Sequence, residues 1–163
     1  MTTTTAADAL RVGTLADREE ITELVSRLGA CLDDGRFDDL RSLLVEDATA
    51  RTPGGEARGR DAVVAQASRS HRSDQPIQHV ITNPVIELDG DRATVRANLV
   101  VHFAEPLADG RPGLAPPIQF TLGEVYGFDV VRAPDGWRFA RIETSPVWMA
   151  GTVPSVPRTA EAG

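Results

Sequence analysis

Lysine is absent from this 163-residue sequence, whose 17 basic residues are all arginines. Schiff-base chemistry on a lysine amine is therefore excluded. Cysteine occurs once, as Cys31, so neither an intrachain disulfide nor a cluster of thiolate metal ligands can form. The three histidines are scattered and lack the spacing of a zinc motif. We expect a protein that works without a metal or another cofactor.

Long apolar runs and an excess of positive charge are missing as well. No apolar segment approaches the ~18 residues of a membrane span. Residues 1–8 lack the basic start and apolar stretch of a secretory signal. The formal net charge of −7 argues against a nucleic-acid-binding surface and against docking on anionic membranes. A Gly-rich phosphate loop and a Gly-x-Ser-x-Gly nucleophile motif are also absent. We expect a soluble, cytoplasmic protein.

The length and the 41% content of hydrophobic residues fit one globular domain with its own core. Residues 1–13 and residues 151–163 are mostly small or polar, with prolines in the C-terminal segment. Such segments bury little apolar surface, so we expect flexible termini on either side of a domain at residues 14–150.

The spacing of apolar residues predicts the order of the secondary structure. Helical periodicity predicts a helix from Thr14 to about residue 34, with shorter helices at 37–44 and 61–70. From Pro76 the period changes to two. This change predicts strands that follow a short one at 48–52 and lie at 78–88, 92–103, 119–131 and 137–144. Helices followed by antiparallel strands predict an α+β domain whose helices cover one face of the sheet.

Several motifs across residues 14–150 resemble those of the SnoaL-like proteins. They are LDDGRF at 32–37, GRDAV at 59–63, QHVITN at 78–83, and a C-terminal hairpin that contains Tyr126 and Trp137. The resemblance implies the nuclear transport factor 2-like fold, a cone-shaped, curved antiparallel sheet wrapped around N-terminal helices with an internal pocket. This superfamily includes scytalone dehydratase, ketosteroid isomerase, polyketide cyclases and limonene epoxide hydrolase, so the fold alone does not select a reaction.

Asp33 and His79 are the main catalytic candidates. Asp33 ends the first helix next to its apolar stripe, where the helix end and an apolar pocket both disfavour a charged carboxyl group. The alternative for Asp33 is a solvated turn residue. The resemblance places it at the acidic position of scytalone dehydratase, although Leu32 stands where that enzyme has tyrosine. His79 shares its strand face with Asn83, and it would transfer protons with Asp33 if that face lines the pocket.

Glu124 is a third catalytic candidate, because it interrupts an otherwise apolar strand face that includes Tyr126. A carboxylate inside such a row is costly unless it is paired or neutralised. Two interpretations remain open: a catalytic or binding group, or an ion pair with Arg96 or Arg141 on a neighbouring strand. The candidate substrate-binding residues are Tyr126, Trp148 and Asn83, and His71 receives no role.

These observations predict a cofactor-independent enzyme that uses Asp33 and His79 in general acid–base catalysis. It would be a cyclase, dehydratase or isomerase acting on a small apolar or cyclic substrate, such as a polyketide-like or other secondary metabolite. One alternative is an epoxide-opening cyclase or hydrolase with Asp33 or Glu124 as the acid. Another is a non-catalytic ligand-binding or accessory module of the same fold. We expect a homodimer that pairs through the polar outer face of the sheet.

Overall fold

The computed structural model describes residues 5–71, 74–106 and 115–153. Two α-helices, one 3₁₀ helix and six strands follow one another along these segments. In chain order they are α1 (Ala6–Asp33), the 3₁₀ helix (Phe37–Leu43), β1 (Leu44–Thr52), β2 (Gly55–Arg58), α2 (Arg60–Ser70), β3 (Ile77–Asp89), β4 (Arg92–Ala104), β5 (Ile118–Ala133) and β6 (Gly136–Gly151). The prediction of an α+β domain is confirmed. Of the predicted C-terminal tail, residues 154–163 lie outside the described part of the chain.

Helix α1 begins at Ala6, so the predicted helix start at Thr14 is wrong. Thr14 does not cap the helix; its hydroxyl donates to the Leu10 carbonyl oxygen one turn earlier, at 3.0 Å. Leu10, Val12 and Leu15 are exposed, so the apolar side chains of residues 9–15 do not pack into the core. Because the apolar periodicity begins only with the buried Ile21, sequence spacing could not locate the true start.

The six strands form one sheet in the order β2-β1-β6-β5-β4-β3. Neighbouring strands are antiparallel except β1 and β6, which run parallel. The expectation of a wholly antiparallel sheet is therefore wrong at that pair. The reason is tertiary, since the parallel partners of β1 lie about ninety residues away, as in the pair of Arg51 with Glu143. Strand β2, which forms a short hairpin with β1, was not predicted.

One face of the sheet packs against the helices and forms the core. On β4 the alternate residues Ala93, Val95, Ala97, Leu99 and Val101 are each at most 4% exposed, as their period of two predicts. The apolar stripe of α1 is buried with them, including Leu24 and Leu28. Full burial of one such valine or leucine side chain contributes about 1.5–3 kcal/mol to the free energy of folding.

Polar contacts hold the N-terminal half of α1 against the β5–β6 hairpin. Asp17 accepts hydrogen bonds from Arg132 at 2.7 Å and from the Trp137 indole at 3.2 Å. The Arg132 guanidinium also lies 4.6 Å from the centre of the Trp137 ring. These contacts fix the middle of the helix whose C-terminal residue is Asp33. Within the three described segments, neither α-helix combines the length and apolar character needed to cross a membrane.

Candidate active site

A cavity of about 220 Å³ lies between the helices and the inner face of the sheet. Its walls are mostly apolar and include Leu28 and Leu32 of α1, Leu40 of the 3₁₀ helix, and Leu99 and Phe139 of the sheet. Pockets for drug-sized ligands commonly run from about 300 to 1,000 Å³, so this cavity suits a molecule of one or two rings. The internal pocket expected from the sequence is therefore present.

Asp33 and His79 form a hydrogen-bonded pair next to this cavity. One carboxylate oxygen of Asp33 accepts the His79 Nδ1–H at 2.7 Å and the His79 backbone N–H at 2.8 Å. Two bonds to one oxygen fix both the strand and the imidazole ring relative to the end of α1. Because Nδ1 donates to Asp33, the neutral ring carries its lone pair on Nε2, the atom that a base uses.

A glycine in α1 allows this pairing. A Cβ atom on Gly29 would lie 3.2 Å from Ile81 Cδ1 and 4.0 Å from His79 Cβ, so α1 packs closely on β3 at this position. Gly29 and Asp33 are four residues apart and therefore share one face of the helix. The close approach at Gly29 thus brings Asp33 within reach of His79.

The two members of the pair have different positions relative to the cavity. His79 lines it, whereas Asp33 lies behind the imidazole in an adjoining cleft with Asp34, Gly35 and Phe37. Burial lowers the pKa of His79, and the hydrogen bond and negative charge of Asp33 only partly oppose this effect. His79 is therefore suited to act as a neutral base. Asp33, the last residue of α1, does not itself line the cavity.

His71, to which the sequence analysis gave no role, lines the same cavity. Its ring lies 5.5 Å from the ring of His79, with an angle of 28° between the planes. Its Nδ1 is 2.6 Å from the Ala67 carbonyl oxygen, so Nδ1 carries the hydrogen, and the buried Nε2 has no hydrogen-bond partner. Burial lowers the pKa of His71. The one available signal was its place just after α2, where histidine often bonds the last helical carbonyls.

Glu124 points into the cavity from β5 and is 8% exposed. Burial raises the pKa of Glu124, and the nearby Thr144 hydroxyl offsets this rise only in part. The alternative of an ion pair with an arginine is wrong. Arg141 instead bonds Asp129 at 2.6 Å, and Arg96 bonds Asn98 at 3.2 Å. Both arginines lie on the outer face of the sheet because strand alternation separates them from the inner row.

Residues 13–143 match the sequence profile of the SnoaL-like domain family. The chain belongs to this family. The protein Rv2910c of Mycobacterium tuberculosis, named as uncharacterized, is 34% identical over 139 residues, which cover 83% of this chain and 89% of Rv2910c.

Solved structures show the same fold. An NTF2-like protein with a cystatin-like fold from Novosphingobium aromaticivorans has a TM-score of 0.69 and 28% identity, covering 90% of this chain and 92% of that one. A hexachlorocyclohexane dehydrochlorinase, LinA type 2, has a TM-score of 0.70 and 16% identity, covering 89% of this chain and 98% of that one. The NTF2-like fold predicted from the sequence is thereby confirmed.

Tyr126 lies where the sequence of this SnoaL-like chain places it, on the inner face and in the cavity wall. Burial raises the pKa of Tyr126, and the negative charges of Glu124 and Asp33 raise it further. The phenol therefore stays protonated at neutral pH and is available to donate a hydrogen bond to a ligand.

Asn83 and Trp148 are not among the residues of the cavity wall, in contrast to their predicted placement. The β3–β4 register shifts between Thr82 and Val85, and Asn83 within this shift is exposed with φ 55°. The irregularity removes Asn83 from the alternation that carries His79. Trp148 is 50% exposed and packs across Gly123, because a second register shift turns the end of β6 to the outer face.

Gln66 is a further polar residue of the cavity wall that sequence reasoning missed. It is 6% exposed, and its amide nitrogen donates to Thr52 Oγ1 at 3.1 Å and to the Gly55 carbonyl oxygen at 2.8 Å. A glutamine inside the apolar spacing of a short helix carries no signal for this placement. Across the described segments, His, Cys, Asp and Glu form no group of three or more that could hold a metal ion.

Proposed function

We propose that this SnoaL-like protein is a cofactor-independent enzyme that removes a proton from a small, apolar, cyclic substrate. The reaction class is dehydration, isomerisation or ring closure. The observation that carries this proposal is the Asp33–His79 pair, which presents a neutral imidazole to a mostly apolar cavity. The name of the LinA structure supports the class, since a dehydrochlorinase performs an elimination on a ring.

In this proposal the two residues of the pair have different roles. His79 Nε2 is the base that takes the proton from carbon and returns it during the second half of the reaction. Asp33 positions the ring and stabilises its protonated form through the bond to Nδ1. Tyr126 lines the same cavity, and its protonated phenol supplies a hydrogen bond to an oxygen that gains negative charge.

An exchange reaction tests this proposal without knowledge of the natural substrate. The bicyclic ketone 2-tetralone has acidic C–H bonds next to its carbonyl group and a size that fits the cavity. We expect the protein to accelerate hydrogen–deuterium exchange at these carbons, measured by NMR in heavy water. His79→Ala and Asp33→Asn should each reduce the acceleration by about 10²–10⁴-fold, the usual contribution of general acid–base catalysis.

Matched controls exist in the same chain. His102 bonds Thr121 and does not line the cavity, and Asp34 is an exposed neighbour of Asp33 that pairs with Arg36. His102→Ala and Asp34→Asn should keep the wild-type exchange rate. Exchange at the buffer rate with wild-type protein, or full activity of His79→Ala, would contradict the proposal and favour a non-catalytic binding module.

A second candidate reaction is the opening of an epoxide, in which Glu124 protonates the epoxide oxygen while a hydroxyl group of the substrate or a water molecule attacks the ring carbon and releases its proton to solvent. Its support is the burial of this carboxyl group in the cavity wall, which raises the pKa of Glu124 and so extends the pH range in which it holds a transferable proton. Turnover of a bicyclic epoxide such as indene oxide distinguishes the two reactions. Loss of that turnover in Glu124→Gln, with tetralone exchange retained, would establish the second reaction.

We also propose that the protein is a homodimer joined through the outer face of the sheet. Three apolar side chains on that face are substantially exposed, Val80 at 39%, Val85 at 55% and Trp148 at 50%. Exposed apolar side chains that share one face mark an interaction site. Light scattering at micromolar concentration should give twice the monomer mass of 17.5 kDa, and a monomer mass would contradict this assembly.

A further inference from the structure

Most of the buried polar atoms that lack a hydrogen-bond partner in the described part of the protein belong to residues of the cavity wall. Within the described segments, five buried side-chain atoms have no partner at hydrogen-bonding geometry, although the Thr144 hydroxyl lies near enough to Glu124 to lower the pKa of that carboxyl group: Arg60 Nε, Gln66 Oε1, His71 Nε2, Glu124 Oε1 and Thr144 Oγ1. All but the arginine atom belong to residues that line the cavity. Buried polar atoms in native proteins are nearly always partnered, so this concentration indicates a place where a ligand completes the bonds.

Three of these residues belong to one end of the cavity, which we call the polar end: Gln66, Glu124 and Thr144. The strand register places them together. Thr144 pairs with Tyr126 on β5, and Glu124 is the next residue of β5 on the same face. The Gln66 side chain donates a hydrogen bond to Thr52. Arg51 and Glu143 are partners in the parallel β1–β6 pair, so the residues that follow them, Thr52 and Thr144, lie side by side.

The free bonding capacity of the polar end is specific. Gln66 donates its amide hydrogens to Thr52 and to Gly55, so the remaining free group of its side chain is Oε1, which accepts hydrogen bonds. Burial keeps Glu124 protonated to a higher pH than usual, and a protonated carboxyl group donates one hydrogen bond. A ligand hydroxyl both donates and accepts, and it therefore satisfies Gln66 and Glu124 together.

The described cavity wall has no permanently cationic residue that could balance the charge of an anionic ligand group. The cavity wall contains no arginine among the residues the structure describes, and the sequence has no lysine. A carboxylate or phosphate at the polar end would face the Glu124 carboxyl group without a cation to balance its charge. The polar end therefore favours a neutral group over an anion.

We propose that the polar end binds a neutral hydroxyl group of the substrate, on the side of the ring that lies away from His79. The substrate is then a hydroxylated compound of one or two rings. His79 lies on β3 and Glu124 on β5, two strand spacings or about 10 Å apart along the curved sheet. A ring system bridges this span within a cavity of about 220 Å³. The inference deepens the proposed function, but it concerns binding and not proton transfer.

Two probes of equal shape test the inference. 2-Naphthol carries the hydroxyl group, and 2-methylnaphthalene replaces it with a methyl group of similar size. We expect wild-type protein to bind 2-naphthol at least about tenfold more tightly in titrations followed by the fluorescence of the naphthalene ring. Glu124→Met should abolish this preference while its affinity for 2-methylnaphthalene stays equal to or above that of wild type.

The melting temperature supplies a second readout that does not need a probe. Glu124→Met removes a buried polar atom without a partner and should raise the melting temperature, while Glu87→Met at an exposed site of β3 should leave it unchanged. A lower melting temperature for Glu124→Met, or an unchanged preference for naphthol, overturns the inference. If neither probe binds wild-type protein, the assignment of a hydroxylated ring is wrong.

The outcomes also separate this inference from the proposed function. His79→Ala should lose tetralone exchange and still prefer 2-naphthol, because His79 takes no part in the polar end. Loss of exchange by every variant together with a retained naphthol preference would reject the enzyme and keep the binding site. Exchange that depends on His79, without a naphthol preference in the wild type, would do the reverse.

Discussion

Replacement of Asp33 by asparagine tests the central pair most directly, because it changes charge and almost nothing in shape. The amide oxygen of the new side chain can still accept from the His79 backbone and from Nδ1, the two bonds of 2.7 and 2.8 Å. What disappears is the negative charge that stabilises a protonated His79. We expect the rate of tetralone exchange, measured at a pH where His79 is neutral, to fall by about 10²–10⁴-fold. This fall corresponds to a loss of roughly 3–5 kcal/mol of transition-state stabilisation.

The pH dependence of the same variant separates a positioning role from a structural one. The charge of Asp33 acts to raise the pKa of His79 against the effect of burial. Without that charge the pKa of His79 falls further. Since only the neutral ring acts as a base, the acidic limb of the pH–rate profile should move to lower pH in Asp33→Asn.

Tetralone exchange recorded from about pH 4 to about pH 9 measures both effects in one series. A limb that stays in place, or one that moves to higher pH, would show that Asp33 does not act on His79. The double variant Asp33→Asn/His79→Ala should be little slower than His79→Ala alone, because residues that act as a unit are not additive. Additive losses would contradict the assignment of one catalytic unit.

Two further predictions concern stability. Burial lowers the pKa of His71 and His79 in the folded protein, so the stability they contribute is present above the unfolded value of 6.5 and is lost as pH falls below it. The free energy of urea unfolding should therefore fall between about pH 7.5 and about pH 5.5, and a variant with both histidines replaced by glutamine should show a smaller fall. Gly29→Val should cost about 1–3 kcal/mol and reduce exchange, because its side chain meets Ile81. Gly13→Val, with open space around it, should do neither, and equal effects at both glycines would contradict the close packing of α1 on β3.

The features that the sequence determined are local in origin. The burial of alternate residues of β4 follows from the period of two, because successive side chains of a strand point to opposite faces. The Asp89-Gly90 turn joins β3 to β4 in the gap between the strands predicted at 78–88 and 92–103, with Gly90 at φ 59°. The placement of Glu124 on an apolar inner face was read from the same alternation.

The prediction that Asp33 acts together with His79 rested on the family resemblance. Residue spacing alone left Asp33 open between a catalytic group and a solvated turn residue, and the resemblance to the SnoaL-like family favoured the first. The direct hydrogen bond brings the two side chains together, and their catalytic role stays a prediction. The close packing at Gly29 that produces the bond joins α1 to β3 and is not visible in either segment alone.

Only the tertiary structure decided which polar side chains line the cavity. Register shifts remove Asn83 and Trp148 from the faces that uninterrupted alternation assigns to them. Packing of α2 against β1, β2 and the 3₁₀ helix brings Gln66 and His71 into the wall, and the one sequence signal for either was the position of His71 just after α2. Periodicity reports which way a side chain points along its own element. The neighbours of that side chain depend on strand register and helix packing across the whole chain, and these are properties of the assembled fold.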